Sequence, residues 1–132
     1  MSEHGLQILL IEDNVQNRYL LRYLLERHGH QIQEASDGAA GLQLAQSVCP
    51  DLILLDIQLP GMDGYQVAEA LRQAPATRQT VIIAVTSYAM AGDREKAMDS
   101  GCNGYIEKPI DPACFVDDVQ AIWQGRQQGR SS

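Results

Sequence analysis

Leu52-Ile53-Leu54-Leu55-Asp56, followed by Ile57-Gln58-Leu59-Pro60-Gly61-Met62-Asp63-Gly64, is the stretch that decides the fold. Consecutive leucines and isoleucines read as a strand buried on both faces, the signature of a parallel sheet interior. Asp56 ends the run, and Pro60, Gly61 and Gly64 mark the chain turning away from the sheet. A carboxylate at the carboxyl end of a central parallel strand stands where α/β sheets place their ligands. The same grammar recurs on either side. Ile8-Leu9-Leu10-Ile11 is followed by Glu12 and Asp13, and Tyr105-Ile106-Glu107 is followed by Lys108. One rim of one sheet then gathers three carboxylates and one ammonium. The carboxylates repel one another, so the cluster suits a hard divalent cation, with Mg2+ the leading candidate. The lysine suits an anion. This is the chemistry of a phosphoryl-transfer site without a bound nucleotide.

Working outward, the unit of apolar run, turn and helical pattern repeats along the chain. Strands are expected near Gln7–Ile11, Gln31–Ala35, Asp51–Asp56, Val81–Val85 and Gly104–Glu107. Helices are expected over Val15–Arg27, Gly38–Gln46, Tyr65–Gln73, within Asp93–Ser100, and after Asp111-Pro112. Asp13 or Asn14 would cap the first helix, Ser36-Asp37 leads the second, Asp63 caps the third, and Asp111 with Pro112 starts the last. Such alternation implies right-handed crossovers and a parallel sheet covered by helices on both faces. Strands one, three and four are the most apolar and belong in the middle; the polar Gln-Ile-Gln-Glu-Ala of strand two suits an edge. The expected architecture is therefore a flavodoxin-like (βα)5 doubly wound sheet of order 2-1-3-4-5. Its switch point lies between strands one and three, where Glu12, Asp13 and Asp56 meet.

At 132 residues, with 45% hydrophobic and 20% charged content, the chain reads as one ordinary globular domain. Residues 1–5 are expected to form an N-terminal extension, 6–125 the domain, and 126–132 a flexible, non-periodic tail. The net charge of −7 argues against a nucleic-acid partner. No apolar run reaches the roughly 20 residues of a membrane span, and no signal-peptide pattern opens the chain, which makes no membrane and a cytoplasmic setting the expectation. Cys49, Cys102 and Cys114 lack metal-ligand spacing and are expected as reduced thiols packed as small apolar groups. His4, His28 and His30 are expected on the surface.

The residues Glu12-Asp13-Asn14, Asp56 through Gly64, Thr86-Ser87 and Tyr105-Ile106-Glu107-Lys108-Pro109, each placed after its own strand, resemble a response-regulator receiver domain of two-component signalling. The likeness covers about residues 6–125. It implies that Asp56 accepts a phosphoryl group from a histidine kinase or a histidine phosphotransfer protein. It implies Mg2+ held by Glu12, Asp13, Asp56 and the backbone carbonyl of Gln58. Thr86, Ser87 and Lys108 would bind the phosphoryl group, Thr86 and Tyr105 would act as the switch, and the Lys108–Pro109 peptide would be cis. A downstream protein would read the face made by helix four, strand five and helix five, with Arg94 and Lys96 on the outer side of helix four. Donors would approach beside helix one, where Arg18, Tyr19 and Arg22 offer a mixed surface. Such a protein is not an enzyme in the usual sense, since it catalyses only its own phosphorylation and dephosphorylation.

Two details differ from the family's common pattern. Ser87 replaces an alanine after the switch threonine, and Gln58 and Tyr88 stand on the route of hydrolytic water, which bears on phosphoryl lifetime. With seven residues beyond Gly125, the alternatives are a stand-alone receiver, a phosphorelay intermediate and a receiver fragment of a hybrid kinase. A dehalogenase-type aspartyl-phosphate phosphatase is a remote alternative; it would carry a second aspartate where Gln58 stands, and a substrate cap. A flavodoxin would need a hydroxyl- and glycine-rich phosphate loop after strand one, where this chain has Glu-Asp-Asn-Val.

Overall fold

The computed structural model describes residues 5–87 and 92–131, with side chains through Gly125. The elements in chain order are β1 (Gln7–Ile11), α1 (Val15–Glu26), β2 (Gln31–Ala35), α2 (Gly38–Val48), β3 (Leu52–Asp56), α3 (Gly64–Gln73), β4 (Val81–Thr86), α4 (Asp93–Asp99), β5 (Gly104–Glu107) and α5 (Phe115–Ser131). All neighbouring strands pair in parallel, in the order β2-β1-β3-β4-β5. The order follows from apolarity, as the sequence indicated. β3 and β4 are buried along their whole length, while β2 exposes Gln31 and Gln33 at the edge.

Alternation along the central strands splits the core into two layers, because successive side chains point to opposite faces. Leu9, Ile11, Ile53, Leu55, Ile82 and Ala84 pack with Ala45 of α2, Val67 and Leu71 of α3, and Ala97 of α4. Ile8, Leu10, Leu52, Leu54, Ile83 and Val85 pack with Leu21 and Leu25 of α1 and with Phe115 and Val119 of α5. Each buried Leu, Ile, Val or Phe among these stabilises the fold by roughly 1.5–3 kcal/mol relative to exposure, each alanine by less. The sheet is thus clamped from both sides, and its carboxyl rim is left open to loops.

Of the two caps expected for α1, Asn14 is the one used: its side chain accepts the Asn17 N–H. That frees the Asp13 carboxylate for the site. Several other local expectations need correction. α2 runs on to Val48, and Cys49 ends it in the left-handed region. The last helix begins at Phe115 rather than beside Pro112, because Asp111 first turns the chain, its Oδ1 accepting from Ala113 N and its carbonyl from Cys114 and Phe115. The backbone of 126–131, read as a non-periodic tail, continues that helix. His30 is buried, not exposed; Leu6 N–H donates to its Nδ1 at 2.9 Å, and burial lowers its pKa, favouring the neutral acceptor. Cys102 is buried, with its thiol pushed up to about 11 by desolvation, whereas Cys49 and Cys114 are exposed and add nothing to the core. His4, Tyr88 and most of the proposed N-terminal extension lie outside the described residues. Among the described residues, no helix is long and apolar enough to cross a membrane.

Candidate functional site

Register brings the charged residues together. Ile11 pairs with Leu55, Asp56 with Val85, and Thr86 with Glu107, so the strands end level with one another. Glu12 follows β1, Asp56 closes β3, Thr86 closes β4, and Lys108 follows β5. One carboxylate oxygen from each of Glu12, Asp13 and Asp56 lies within 4.8 Å of the others. Glu12 and Asp56 are buried, while Asp13 is exposed, so the cluster opens on one side.

Asp56 is 4% exposed, and burial is the main cause that raises its carboxyl pKa to about 6. The Gln58 backbone N–H, donating to its Oδ1 at 2.9 Å, and the Lys108 ammonium pull in the other direction; the charge of Glu12 pushes it up further. Lys108 Nζ donates to Glu12 Oε1 at 2.9 Å and lies 3.5 Å from Asp56 Oδ2. One ammonium therefore serves two buried carboxylates, with Asp13 beside them. The imbalance leaves room for a further positive charge.

The loop after β3 is set by its glycine and its cap. Gly64 sits so close that an added Cβ would lie 2.5 Å from Ile57 Cα, and its N–H donates to the Ile57 carbonyl at 2.8 Å. Asp63 and Gln66 form a reciprocal capping box that starts α3. The loop so fixed carries Gln58 at the rim, where its side chain accepts from Ser87 Oγ at 3.0 Å. Ser87 and Gln58 are both exposed, and this bond joins the segments after β3 and β4, a link with no signal in the sequence. Thr86 is buried at the end of β4. The Lys108–Pro109 peptide is cis.

Tyr105 lies inward, 8% exposed, and its hydroxyl has no hydrogen-bond partner among the described residues. Burial raises its pKa, with Asp93 and Glu107 adding to the rise. The guanidinium of Arg94 covers its ring at 5.3 Å, and Lys96 Nζ covers the Tyr65 ring at 4.6 Å. The two cations expected on the outer side of the fourth helix therefore pin α4 to β5 and to α3. The mixed surface expected on the first helix also resolves into two parts. Arg18 and Arg22 are engaged with Glu34, whereas Val15, Tyr19 and Tyr23 stand exposed, with the two tyrosine rings stacked at 6.4 Å.

A family model for the response regulator receiver domain matches residues 8–120. The chain belongs to that family. Among its relatives is the polar-differentiation response regulator DivK of Brucella anthropi, 39% identical over 114 residues that span 86% of this receiver and 93% of DivK. The receiver domain of sensor histidine kinase PA1611 from Pseudomonas aeruginosa PAO1 superposes with a TM-score of 0.79 at 35% identity, covering 91% of this chain and 95% of that one; its structure is described as having a magnesium ion coordinated in the active site cleft. Chemotaxis protein CheY4 of Vibrio cholerae gives a TM-score of 0.84 at 24% identity, covering 89% and 98%, which speaks to the fold alone. The receiver thus belongs to two-component phosphorylation signalling, and to signalling proteins rather than to classical enzymes.

Proposed function

We propose that Asp56 is the phosphoryl acceptor of this receiver and that Glu12, Asp13, Asp56 and the backbone carbonyl of Gln58 hold Mg2+ beside it. The observation that carries this reading is the buried Asp56 carboxylate, set among two further carboxylates and one ammonium at the carboxyl rim. The donor set fits: three carboxylate oxygens in close reach are a hard, anionic site of the kind Mg2+ takes. When bound, the ion withdraws negative charge from the transferring group.

The chain's own residues supply the rest. An oxygen of ionised Asp56 attacks phosphorus in line, forming a P–O bond as the bond from phosphorus to the donor's imidazole nitrogen breaks. Lys108 exchanges part of its contact with Glu12 for a phosphoryl oxygen, and the Thr86 hydroxyl and Ser87 donate to the others. Phosphorylation adds roughly −1.5 to −2 charges at this point. Thr86 and Tyr105 pass that change to α4, β5 and α5, where a groove of about 530 Å3, floored by Met98, Tyr105, Ile106, Phe115 and Ile122, suits a downstream protein. The donor is a histidine kinase or a histidine phosphotransfer protein in the cytoplasm. A second setting, as a relay intermediate or the receiver of a hybrid kinase, is favoured by the likeness to the PA1611 receiver.

Acetyl phosphate with Mg2+ should add one phosphoryl group by intact mass, and EDTA should prevent it. Asp56→Asn should abolish the label. A label that survives Asp56→Asn would overturn the assignment.

A further inference from the structure

Arg18 sits in α1 behind the acidic cluster, and its contacts are unlike those of a surface arginine. Its Nη1 donates to the backbone carbonyl of Glu12 at 2.8 Å and to that of Asp13 at 3.3 Å. Its Nε lies 3.4 Å from Glu34 Oε1, and the side chain is 18% exposed. The other Glu34 oxygen takes Arg22 Nη1 at 2.8 Å, and Arg22 Nε bonds Glu26 at 2.9 Å. A chain of charges thus runs from α1 across to β2 and ends on the backbone of two adjacent acidic residues.

We propose that Arg18 is a positioning residue for the divalent-cation pocket, holding the Glu12–Asp13 backbone so that both carboxylates stay on one cation. This rests on the metal reading above and deepens it. The physical case is mutual repulsion. Neighbouring carboxylates converging with Asp56 push one another apart, and the segment between β1 and α1 is a short link. Among the described residues its other restraints include the Lys108 ammonium on Glu12 Oε1 at 2.9 Å, Glu12 N–H to the Ala35 carbonyl at 3.1 Å, Asn14 N–H to Glu12 Oε2 at 3.1 Å, and the Asn14 cap that accepts Asn17 N–H at 2.8 Å. None of these bonds is to Asp13. A guanidinium can take two carbonyls and a carboxylate together because its donors form a rigid fork. Glu34 fixes that fork to the sheet.

The guanidinium also brings positive charge near the pocket, and charge alone would oppose a second cation. The two effects have opposite signs, so removing Arg18 decides between them. Met keeps the apolar stem, and outer-shell partners of metal ligands typically contribute 10–100-fold in affinity. Arg18→Met should therefore weaken Mg2+ about tenfold by calorimetry, with an unchanged circular dichroism spectrum. Arg18→Lys, which keeps the charge but not the fork, should recover only part. Glu34→Gln, which keeps Arg18 on both carbonyls and loosens only its anchor, should weaken Mg2+ in the same direction but by less than Arg18→Met does.

A docking role for Arg18 predicts something different. It would spare acetyl phosphate and slow only a protein donor, whereas the positioning role slows both equally at subsaturating Mg2+ and is relieved as Mg2+ is raised. Tighter or unchanged Mg2+ binding in Arg18→Met overturns the proposal, as does a loss confined to the protein donor. If the unsubstituted protein itself fails to bind Mg2+, the metal reading falls instead, so the two failures are distinguishable.

Discussion

The two rims of the sheet each hold a cation, and they hold it differently. At the amino rim, Arg72 of α3 donates to the carbonyls of Gly101, Arg78 and Thr80 at 2.6–2.9 Å, to that of Thr77 at 3.4 Å, and to Asn103 Oδ1 at 2.8 Å. Its partners are neutral oxygens, and they tie the end of α3 to the approaches of β4 and β5. At the carboxyl rim, Lys108 faces charged carboxylates that outnumber it. The first cation completes its surroundings and the second does not. A satisfied, half-buried charge such as that of Arg72 is architecture; an unbalanced one is a place where a ligand or a proton has work to do.

Removing the satisfied cation should therefore cost stability and nothing else. Arg72→Met leaves several carbonyls short of donors, each a loss of order 1 kcal/mol or more. A total of about 2–4 kcal/mol is expected in urea unfolding. Mg2+ affinity of the folded protein should not change. A loss of Mg2+ affinity in the folded variant would mean that the two rims are coupled, and the contrast would fail.

The unbalanced rim should respond in the opposite sense. Asp56 has a folded pKa of about 6, raised above that of a free carboxyl. A raised pKa means that the folded state binds the proton more tightly than the unfolded one. Its stabilising contribution is complete below about pH 4 and is lost as pH rises through about 6. Without Mg2+, Asp56→Asn should then be more stable than the unsubstituted protein at pH 7, by on the order of 1 kcal/mol after allowing for solvent at the open rim. The gain should vanish toward pH 4 and should be outweighed when Mg2+ binds the unsubstituted protein. Equal stabilities across the whole range would show that the rim is not strained.

This contrast also explains what could be read from the chain and what could not. β1, β3 and β4 were legible because burial on both faces demands continuous apolar runs, and Glu12, Asp56 and Lys108 because they end such runs. Parallel pairing then fixes their meeting without further information. Asn14 as cap, rather than Asp13, was a choice between equals in sequence that the backbone decides. The start of α5 at Phe115 was missed because Asp111 and Pro112 are as good in a turn as at a helix start. Arg72 was missed, and Arg18, Arg94 and His30 were assigned to the surface, for one reason. A long polar side chain looks solvated in a sequence, and only tertiary contacts reveal the carbonyl or ring that holds it. Their partners lie on other elements or loops, so no local spacing announces them.

The smallest expected effect tests whether α4 belongs to the unbalanced rim. Arg94 lies over the Tyr105 ring, and Tyr105 packs inward with a buried hydroxyl that lacks a partner among the described residues. Burying that hydroxyl opposes the inward position, and the guanidinium over the ring favours it. A cation over an aromatic face contributes about 0.5–1 kcal/mol at an exposed site, a two- to fivefold change in population. Arg94→Met should therefore shift Tyr105 outward by about that factor, read from its aromatic NMR signals, and should do so without phosphorylation. Lys96→Met should leave Tyr105 in place, because Lys96 covers Tyr65 instead. If both variants leave Tyr105 unmoved, Arg94 is merely a surface residue resting on a ring that packing alone holds, and α4 carries no bias of its own. If Arg94→Met moves Tyr105 and beryllofluoride with Mg2+ moves it back, the same ring is under the control of both the site and α4. That is what a population shift requires, since each input must favour one of two arrangements already present.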